Sequence, residues 1–571
     1  MDYSIKIGGE AGQGLQTIGD VLGKVFARTG YHVFSHQDYE SRIRGGHNFY
    51  QIRASVEPVS APAEKIDIVV ALDRASIELH RGELAEDGMV LYDSESIKER
   101  RDGPEFVDVP LKGLAKEAGG SPVMANTVAT GAVLGMLGMD TGILEALLAE
   151  TFRKKGDEVV ENNIKAARAG HGHAREHCPR CAFKPGKPSG GPKLLINGVE
   201  GVALGALLSG CKFYAAYPMT PSTGVLNFMA AHAADHGLVV EQAEDEIAAI
   251  NMAIGASFAG ARAMTGTSGG GFALMAEGLS LAGMTETPIV IAEGQRPGPA
   301  TGFPTRTEQG DLLFLLHAGH GEFPRVLFAP GSPEQAVRLT NKAFELAEKY
   351  QVPAFVLFDQ YLADTQWTYE ALSADGLLYN DYRLRGEKFA AIKEYKRHAY
   401  TESGVSPLGV PGDAPHVVVT DSDEHGEEGH IVEDAETRVR MVEKRFLKKM
   451  EALKGEIGRP ELYGPRDAET IVVGWGSTYG VLRETVDSLN RGGEKAAMLH
   501  FAEVFPFPAE GEHMEALGRA RRTVCVENNA SGQFERLVRA ETGFTFSHSV
   551  RRYDGRPLTV QYISGRLHGG S

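Results

Sequence analysis

Cysteine is scarce in this chain: Cys178, Cys181, Cys211 and Cys525 are the four among 571 residues. So few and so scattered, they argue against a disulfide framework and fit a reducing compartment. A [4Fe–4S] cluster takes four thiolates and these four are scattered, so any such carrier has to sit on a partner. Positive charge is short as well. Lys and Arg number 59 against 76 Asp and Glu, a formal net charge of −17, which excludes a broad nucleic-acid or anionic-membrane surface while allowing local anion sites. No apolar run is long enough to span a bilayer. Met1–Ile7 reads directly as a strand, without the apolar core of a signal peptide, and a cytoplasmic protein is expected.

What the chain has in plenty is glycine, 69 residues, which suits an α/β protein with many tight strand–helix turns. One domain per ~150 residues gives about four domains. The sequence divides at 1–183, a linker at 184–193, 194–372, 373–465 and 466–571. The first segment predicts strand 3–7, the turn Gly8-Gly9-Glu10-Ala11-Gly12-Gln13-Gly14, a helix over 15–28, strands at 31–34, 67–71 and 89–91, and a helix over 131–150. A glycine turn opening a helix can bind an anion on free amides, although an ordinary tight turn explains it equally well. Its spacing is not the dinucleotide fingerprint. Arg42, Arg44, Gly45 and Gly46 form either a solvated loop or a phosphate or partner contact. His171, His173, His177, Cys178 and Cys181 have zinc-like spacing, but no second Cys pair follows and a Gly/Pro/Lys linker does, so no metal is expected.

From Leu194 on, apolar strands at 288–293, 325–329 and 354–358 alternate with helical stretches such as 333–350, the pattern of a parallel sheet buried on both faces. The 373–465 segment is turn-rich. Its acidic stretch 421–428, with His416, His425 and His430 nearby, reads as a solvated loop, and 433–453 as a long charged helix. The last segment predicts strands at 470–473, 497–499 and 523–526 around a helix at 479–489.

Four stretches of the central segment stand in order: Tyr217-Pro218-Met219-Thr220-Pro221-Ser222, Glu244-Asp245-Glu246 before a small-residue helix, Thr265–Gly271, and Gln295–Arg306. Singly, each has a plain explanation. An acidic residue in a first helical turn usually complements the helix dipole at the surface, Tyr217–Ser222 can be a strand-to-helix turn, and Arg296 and Arg306 can be surface ion pairs. As an ordered set they resemble the α subunit of the 2-oxoacid:ferredoxin oxidoreductases, and within them the members acting on 2-oxoglutarate. Gly8–Gly14 and Arg44-Gly45-Gly46 resemble that family's γ domain, fused ahead of α. Leu408 is a departure, since relatives often carry Arg after Ser-Pro.

The resemblance implies a multidomain α/β fold: a doubly wound domain of the thiamine-diphosphate pyrimidine-binding type, an N-terminal γ domain over 1–183 and a C-terminal transketolase-C-like domain over 466–571. It implies that Glu246 is the carboxylate that activates the coenzyme's pyrimidine, with Tyr217 and Pro218 beside the cofactor. Thr220 and Arg296 then hold the 2-oxoacid carboxylate, with Thr305 on the substrate side and Arg306 toward a distal carboxylate. Mg²⁺, the diphosphate motif and the [4Fe–4S] cysteines are implied on a separate β subunit. Coenzyme A and ferredoxin are implied as co-substrate and acceptor, in a dimer of heterodimers that oxidises 2-oxoglutarate to succinyl-CoA and CO₂ or runs reductive carboxylation. The same chemistry on pyruvate or branched-chain acids, a transketolase-type transferase without ferredoxin, and a non-catalytic scaffold stay as alternatives.

Overall fold

The computed structural model describes residues 2–42, 45–119, 121–178, 180–181 and 183–568. The chain forms two compact units, Met1–Ile196 with Asp364–Leu372, and Asn197–Ala363 with Ser373–Ser571.

The first unit is built on an eight-stranded mixed sheet. Its order is Phe106–Asp108, Leu84–Tyr92, Ile66–Ala71, Asp2–Ala11, Gly45–Ser55, His32–Asp38, Gln366–Tyr369 and Leu194–Asn197. The last two strands come from the two ends of the segment that the sequence assigns to the central domain. Apolar residues of strand Asp2–Ala11, Ile5 and Ile7, are buried against helix Leu15–Thr29 and helix Ala125–Leu137. Where the sequence predicts one helix over 131–150 there are two, Ala125–Leu137 and Gly142–Phe152. Gly138 ends the first at φ 69, a left-handed conformation that glycine takes without the Cβ penalty. The Asp140 carboxylate accepts from the Gly142 amide at 2.9 Å to start the second.

Helix Asp157–His177 carries the histidines of the zinc-like stretch. Each is committed to a carbonyl: His171 to Met139 at 2.8 Å, His173 to Asp108 at 3.0 Å and His177 to His173 at 2.9 Å. Among the described residues no group of three or more His, Cys, Asp or Glu is arranged to hold a metal. Cys178 and Cys181 form a disulfide, against the expectation from the cysteine count. Their Cα atoms stand 5.4 Å apart, within bonding reach, so this local bridge needs no framework of other pairs.

The second unit contains two large sheets and a two-stranded pair, Arg383–Leu384 with Leu408–Gly409. The larger runs Glu503–Phe505, Val326–Phe328, Pro353–Asp359, Ile289–Gln295, Ala263–Thr267, Phe213–Ala216, Val239–Gln242, parallel except at its first, antiparallel edge. Helices Gly198–Leu208, Thr223–His236 and Pro333–Tyr350 pack on one face, and Glu246–Phe258 and Gly269–Met284 on the other. This is the doubly wound arrangement that continuous apolar strands require, since both faces must be covered. The smaller sheet has the order Glu461–Tyr463, Ala496–Phe501, Thr470–Trp475, Arg522–Glu527, His548–Arg551, and shares one hydrophobic core with the second face of the larger.

The segment between the two sheets departs from its sequence reading. His425 is fully buried, its ring 4.1 Å from that of His398, rather than lying in a solvated loop. The expected long helix is α-helical over Ala435–Val442 and Lys449–Lys454 but a π-helix over Glu443–Lys448.

Candidate active site

In the larger sheet of the second unit, strand Phe213–Ala216 is followed in the chain by Val239–Gln242 on its outer side and then by Ala263–Thr267 on its inner side. The strand order therefore reverses at Phe213–Ala216. Crevices at the carboxyl ends of strands beside such a reversal are where doubly wound folds bind ligands. The segments leaving those ends are Tyr217–Ser222, the Glu246 turn, Ser268 with helix Gly269–Met284, and the loop opened by Arg296, so the fold gathers all four stretches singled out in the sequence.

Glu246 is the first residue of helix Glu246–Phe258. Its neighbours Glu241, Glu244 and Asp245 are exposed, and Asp245 caps the helix by accepting from the Ala248 amide at 2.8 Å. With the dipole complemented and the cap filled by others, Glu246 turns inward and is 4 % exposed. Its Oε1 is buried with no hydrogen-bond partner among the described residues, as are Thr265 Oγ1 and Ser268 Oγ. Burying a carboxylate oxygen without a partner is costly, so a ligand group is the natural occupant. Gly271 gives that oxygen its place, since a Cβ there would stand 2.4 Å from Glu246 Oε1 and 2.1 Å from Thr267 Oγ1.

Arg296 donates from Nη1 to the Thr220 carbonyl at 2.9 Å, which brings these two residues together across the crevice. Tyr217 is 40 % exposed and Pro218 half-buried at the end of the same strand. Thr305 and Arg306 lie half-buried further along the Arg296 loop, and the Arg306 Cβ packs within 3.1 Å of the position a Cβ on Gly555 would take.

Two acidic residues that the sequence reading passed over stand beside Arg296. Glu293 is fully buried within strand Ile289–Gln295. Asp311 precedes helix Leu312–His317, and its amide donates to Gln295 Oε1 at 3.0 Å. Glu293 was hidden because its strand reads as an apolar run, in which one acid looks like an edge. Burial raises Glu293 well above the usual carboxylate range, and the neighbouring Asp311 carboxylate adds to it while Arg296 opposes it. Burial likewise lifts Asp311 to about 6, against its hydrogen bond with Glu293 and the charge of Arg296. Burial in turn lowers Arg296, and the two carboxyls offset that.

The loop is fastened from below by the C-terminal stretch 527–533. The Gln309 amide donates to Asn528 O at 2.6 Å, Asn529 Nδ2 to Gln309 O at 3.0 Å and the Asn528 amide to Gln309 Oε1 at 3.0 Å. Glu527, buried, accepts from Asn529 Nδ2 at 2.8 Å and the Phe534 amide at 2.8 Å. Two stretches over two hundred residues apart are thus one structure, which no local reading of the chain links.

The remaining candidates belong to the first unit. Gly12 and Gly14 take φ of 92 and 81, and the Glu10 amide donates to Gln13 Oε1 at 2.9 Å, so the turn accounts for its own glycines. Arg42 pairs with Glu40 at 2.9 Å in an exposed position, and Arg44 lies outside the described residues.

Comparison with known proteins agrees with this geometry. Residues 204–444 match the family model described as pyruvate flavodoxin/ferredoxin oxidoreductase, thiamine diphosphate-binding, and residues 4–172 the one described as pyruvate ferredoxin/flavodoxin oxidoreductase. The 2-oxoacid:ferredoxin oxidoreductase subunit alpha of Saccharolobus solfataricus is 32% identical over 98% of this chain and 96% of its own length. The 2-oxoglutarate synthase subunit KorA of Methanocaldococcus jannaschii is 34% identical over 65% of this chain and 96% of its own. A solved structure of 2-oxoglutarate:ferredoxin oxidoreductase from Magnetococcus marinus, with 2-oxoglutarate, coenzyme A and succinyl-CoA bound, superposes with a TM-score of 0.91 at 31% identity, covering 99% of both chains. The chain belongs to the α-subunit family of the 2-oxoacid:ferredoxin oxidoreductases.

Proposed function

We propose that this chain is the γ-fused α subunit of an enzyme that oxidatively decarboxylates 2-oxoglutarate to succinyl-CoA and CO₂, passing electrons to ferredoxin, or catalyses the reverse carboxylation. The observation that carries the reading is the buried, unpartnered carboxylate oxygen of Glu246 at the sheet's switch point, with the Arg296–Thr220 pair in the same crevice. These residues fit the pyrimidine half of thiamine diphosphate: Glu246 supplies the ring's hydrogen-bond partner, and Gly271, lacking a Cβ, leaves that carboxylate its place. When bound, thiamine diphosphate supplies a thiazolium that accepts the electron pair released by decarboxylation. Arg296 is placed to receive the 2-oxoacid carboxylate through its planar fork, Thr220 and Thr305 to line the substrate, Tyr217 and Pro218 to border the coenzyme, and Arg306 to meet the distal carboxylate of 2-oxoglutarate. Mg²⁺, the diphosphate contacts and the [4Fe–4S] carriers fall to a β subunit, with which the chain forms a dimer of heterodimers. Residues 1–183 act as the γ domain, 194–372 as the coenzyme domain and 466–571 as the transketolase-C-like domain.

The test is co-purification with the β subunit and assay of 2-oxoacid-dependent reduction of a low-potential dye, with and without coenzyme A. CoA-dependent turnover with 2-oxoglutarate supports the reading, and dye reduction without any iron–sulfur partner sinks it. The description of the matching family models names pyruvate, which keeps pyruvate as the second reading. On that reading, Arg306→Ala leaves the preference between 2-oxoglutarate and pyruvate unchanged.

A further inference from the structure

Glu293 is an expensive residue with no part in the chemistry assigned above. Both of its carboxyl oxygens are buried, and neither finds an N–H or O–H donor of the chain among the described residues. The group they meet is the carboxyl of Asp311. Two ionised carboxylates offer only acceptors to each other, so the contact is a hydrogen bond only if a proton lies between them. The backbone enforces the meeting. The Asp311 amide is tied to Gln295 Oε1, two residues beyond Glu293 on the same strand. The Asp311 carboxylate also fills the place where Gly269 would carry a Cβ, at 2.5 Å. Arg296, next in the chain to Gln295, is the cation whose charge bears on both carboxyls.

The other titratable groups around the pair are engaged or peripheral. Glu308, on the same loop, is itself raised by burial and by Asp311. Glu246 lies against Gly271, two residues along helix Gly269–Met284 from Gly269. On the adjoining strand, Asp359 is bonded to the Leu362 amide and to Ser477. Across the C-terminal stretch Glu527 is bonded to backbone amides.

We propose that Glu293 and Asp311 form a proton-sharing counter-charge for Arg296, which takes a second proton from solvent when a 2-oxoacid carboxylate docks on that guanidinium and returns it when the carboxylate leaves as CO₂. With one shared proton the pair carries a single negative charge and balances Arg296 in the resting enzyme. An arriving carboxylate would make a second negative charge beside one cation in a buried place. Protonating the pair removes the excess. No proton is consumed over the cycle. The two acids act through Arg296 and are positioning residues. The inference rests on the reading that Arg296 receives the 2-oxoacid carboxylate.

The sign follows from linkage. Anion binding raises the pair's proton affinity, so the anion binds more tightly as pH falls toward about 6, where the second proton is already half in place. One linked proton changes affinity by at most about tenfold per pH unit. Using the α–β enzyme carrying thiamine diphosphate, calorimetry with N-oxalylglycine, a non-reacting analogue with both carboxylates of 2-oxoglutarate, in two buffers of different ionisation enthalpy near pH 7 should report proton uptake. The KM for 2-oxoglutarate should rise about three- to tenfold from pH 6 to 7.5. Glu293→Gln and Asp311→Asn should flatten that slope while thiamine diphosphate binding, read by protein fluorescence, persists. Turnover and binding without proton uptake in the unmutated enzyme overturn the proposal, as does a variant that keeps the full slope. No binding of the analogue together with no 2-oxoacid-dependent turnover overturns the functional reading and the proposal with it.

Discussion

At the scale of single residues, the site turns on groups whose hydrogen bonding is unfinished. Glu246 Oε1 has no hydrogen-bond partner among the described residues, so Glu246→Gln exchanges carboxyl for amide without breaking a bond to that oxygen. Thermal stability should stay within about 1 kcal/mol, while turnover falls by roughly 10²–10⁴-fold, the range for losing a positioned proton-transfer group. Parallel measurement of melting and dye reduction checks both halves, and intact turnover removes Glu246 from its role. Gly271→Ala attacks the same space from the other side. Its methyl group would overlap Glu246 Oε1 and Thr267 Oγ1, so the expected loss is in thiamine diphosphate affinity, read by cofactor titration. At Arg296 the charge alone does not suffice, because the side chain is already tied to the Thr220 carbonyl. Lysine keeps the cation but cannot spare a second planar donor pair. Arg296→Lys should therefore cost about 1.5–3 kcal/mol of carboxylate binding, seen as a rise in KM larger than any fall in kcat.

At the scale of elements, the segment joining the two sheets of the second unit is held by one buried ion cluster. Glu286, 1 % exposed, meets Lys444 Nζ at 2.5 Å, His398 Nδ1 at 3.0 Å and Lys449. Burial would raise the Glu286 carboxyl, but Lys444 and Lys449 outweigh it and hold it well below the ordinary range. The two lysines are five residues apart, which puts them on different faces of an α-helix at 3.6 residues per turn. The π-helix over Glu443–Lys448 underwinds the chain so that both reach the same carboxylate. Glu286→Gln leaves two ammonium groups buried around a neutral amide and should cost about 3–5 kcal/mol, measured by denaturant unfolding. A loss under about 1 kcal/mol would mean the cluster is wet. This element also shows where the sequence stops being legible. The parallel strands and the helix over 333–350 were readable from apolar runs and periodicity, and Glu246 from its place before a small-residue helix. The π turn and the burial of His425 were not, because each depends on a partner distant in the chain: a carboxylate at 286 for the lysines, a histidine at 398 for His425. For the same reason Glu293 was invisible, since only the folded loop brings Asp311 to it.

At the scale of the whole molecule, the question is where the electrons go. Of the four cysteines, Cys178 and Cys181 are bonded to each other. Cys211 is buried just ahead of strand Phe213–Ala216, and Cys525 within strand Arg522–Glu527 of the other sheet. Burial lifts the Cys211 thiol to about 12, and burial with the Glu527 charge raises Cys525 well above its usual value. Neither yields a thiolate readily, and a [4Fe–4S] cluster is held by cysteine thiolates. On the proposed reading, Glu246 and Arg296 face coenzyme and substrate carboxylate, and the electrons of the cleaved bond pass to clusters on a partner. The purified chain, incubated anaerobically with iron and sulfide, should gain no cluster absorbance and should reduce no low-potential dye with 2-oxoglutarate. Adding the β subunit should restore both signals together. Cluster uptake by the isolated chain would mean that its thiols are accessible and that its division of labour with a partner is drawn in the wrong place.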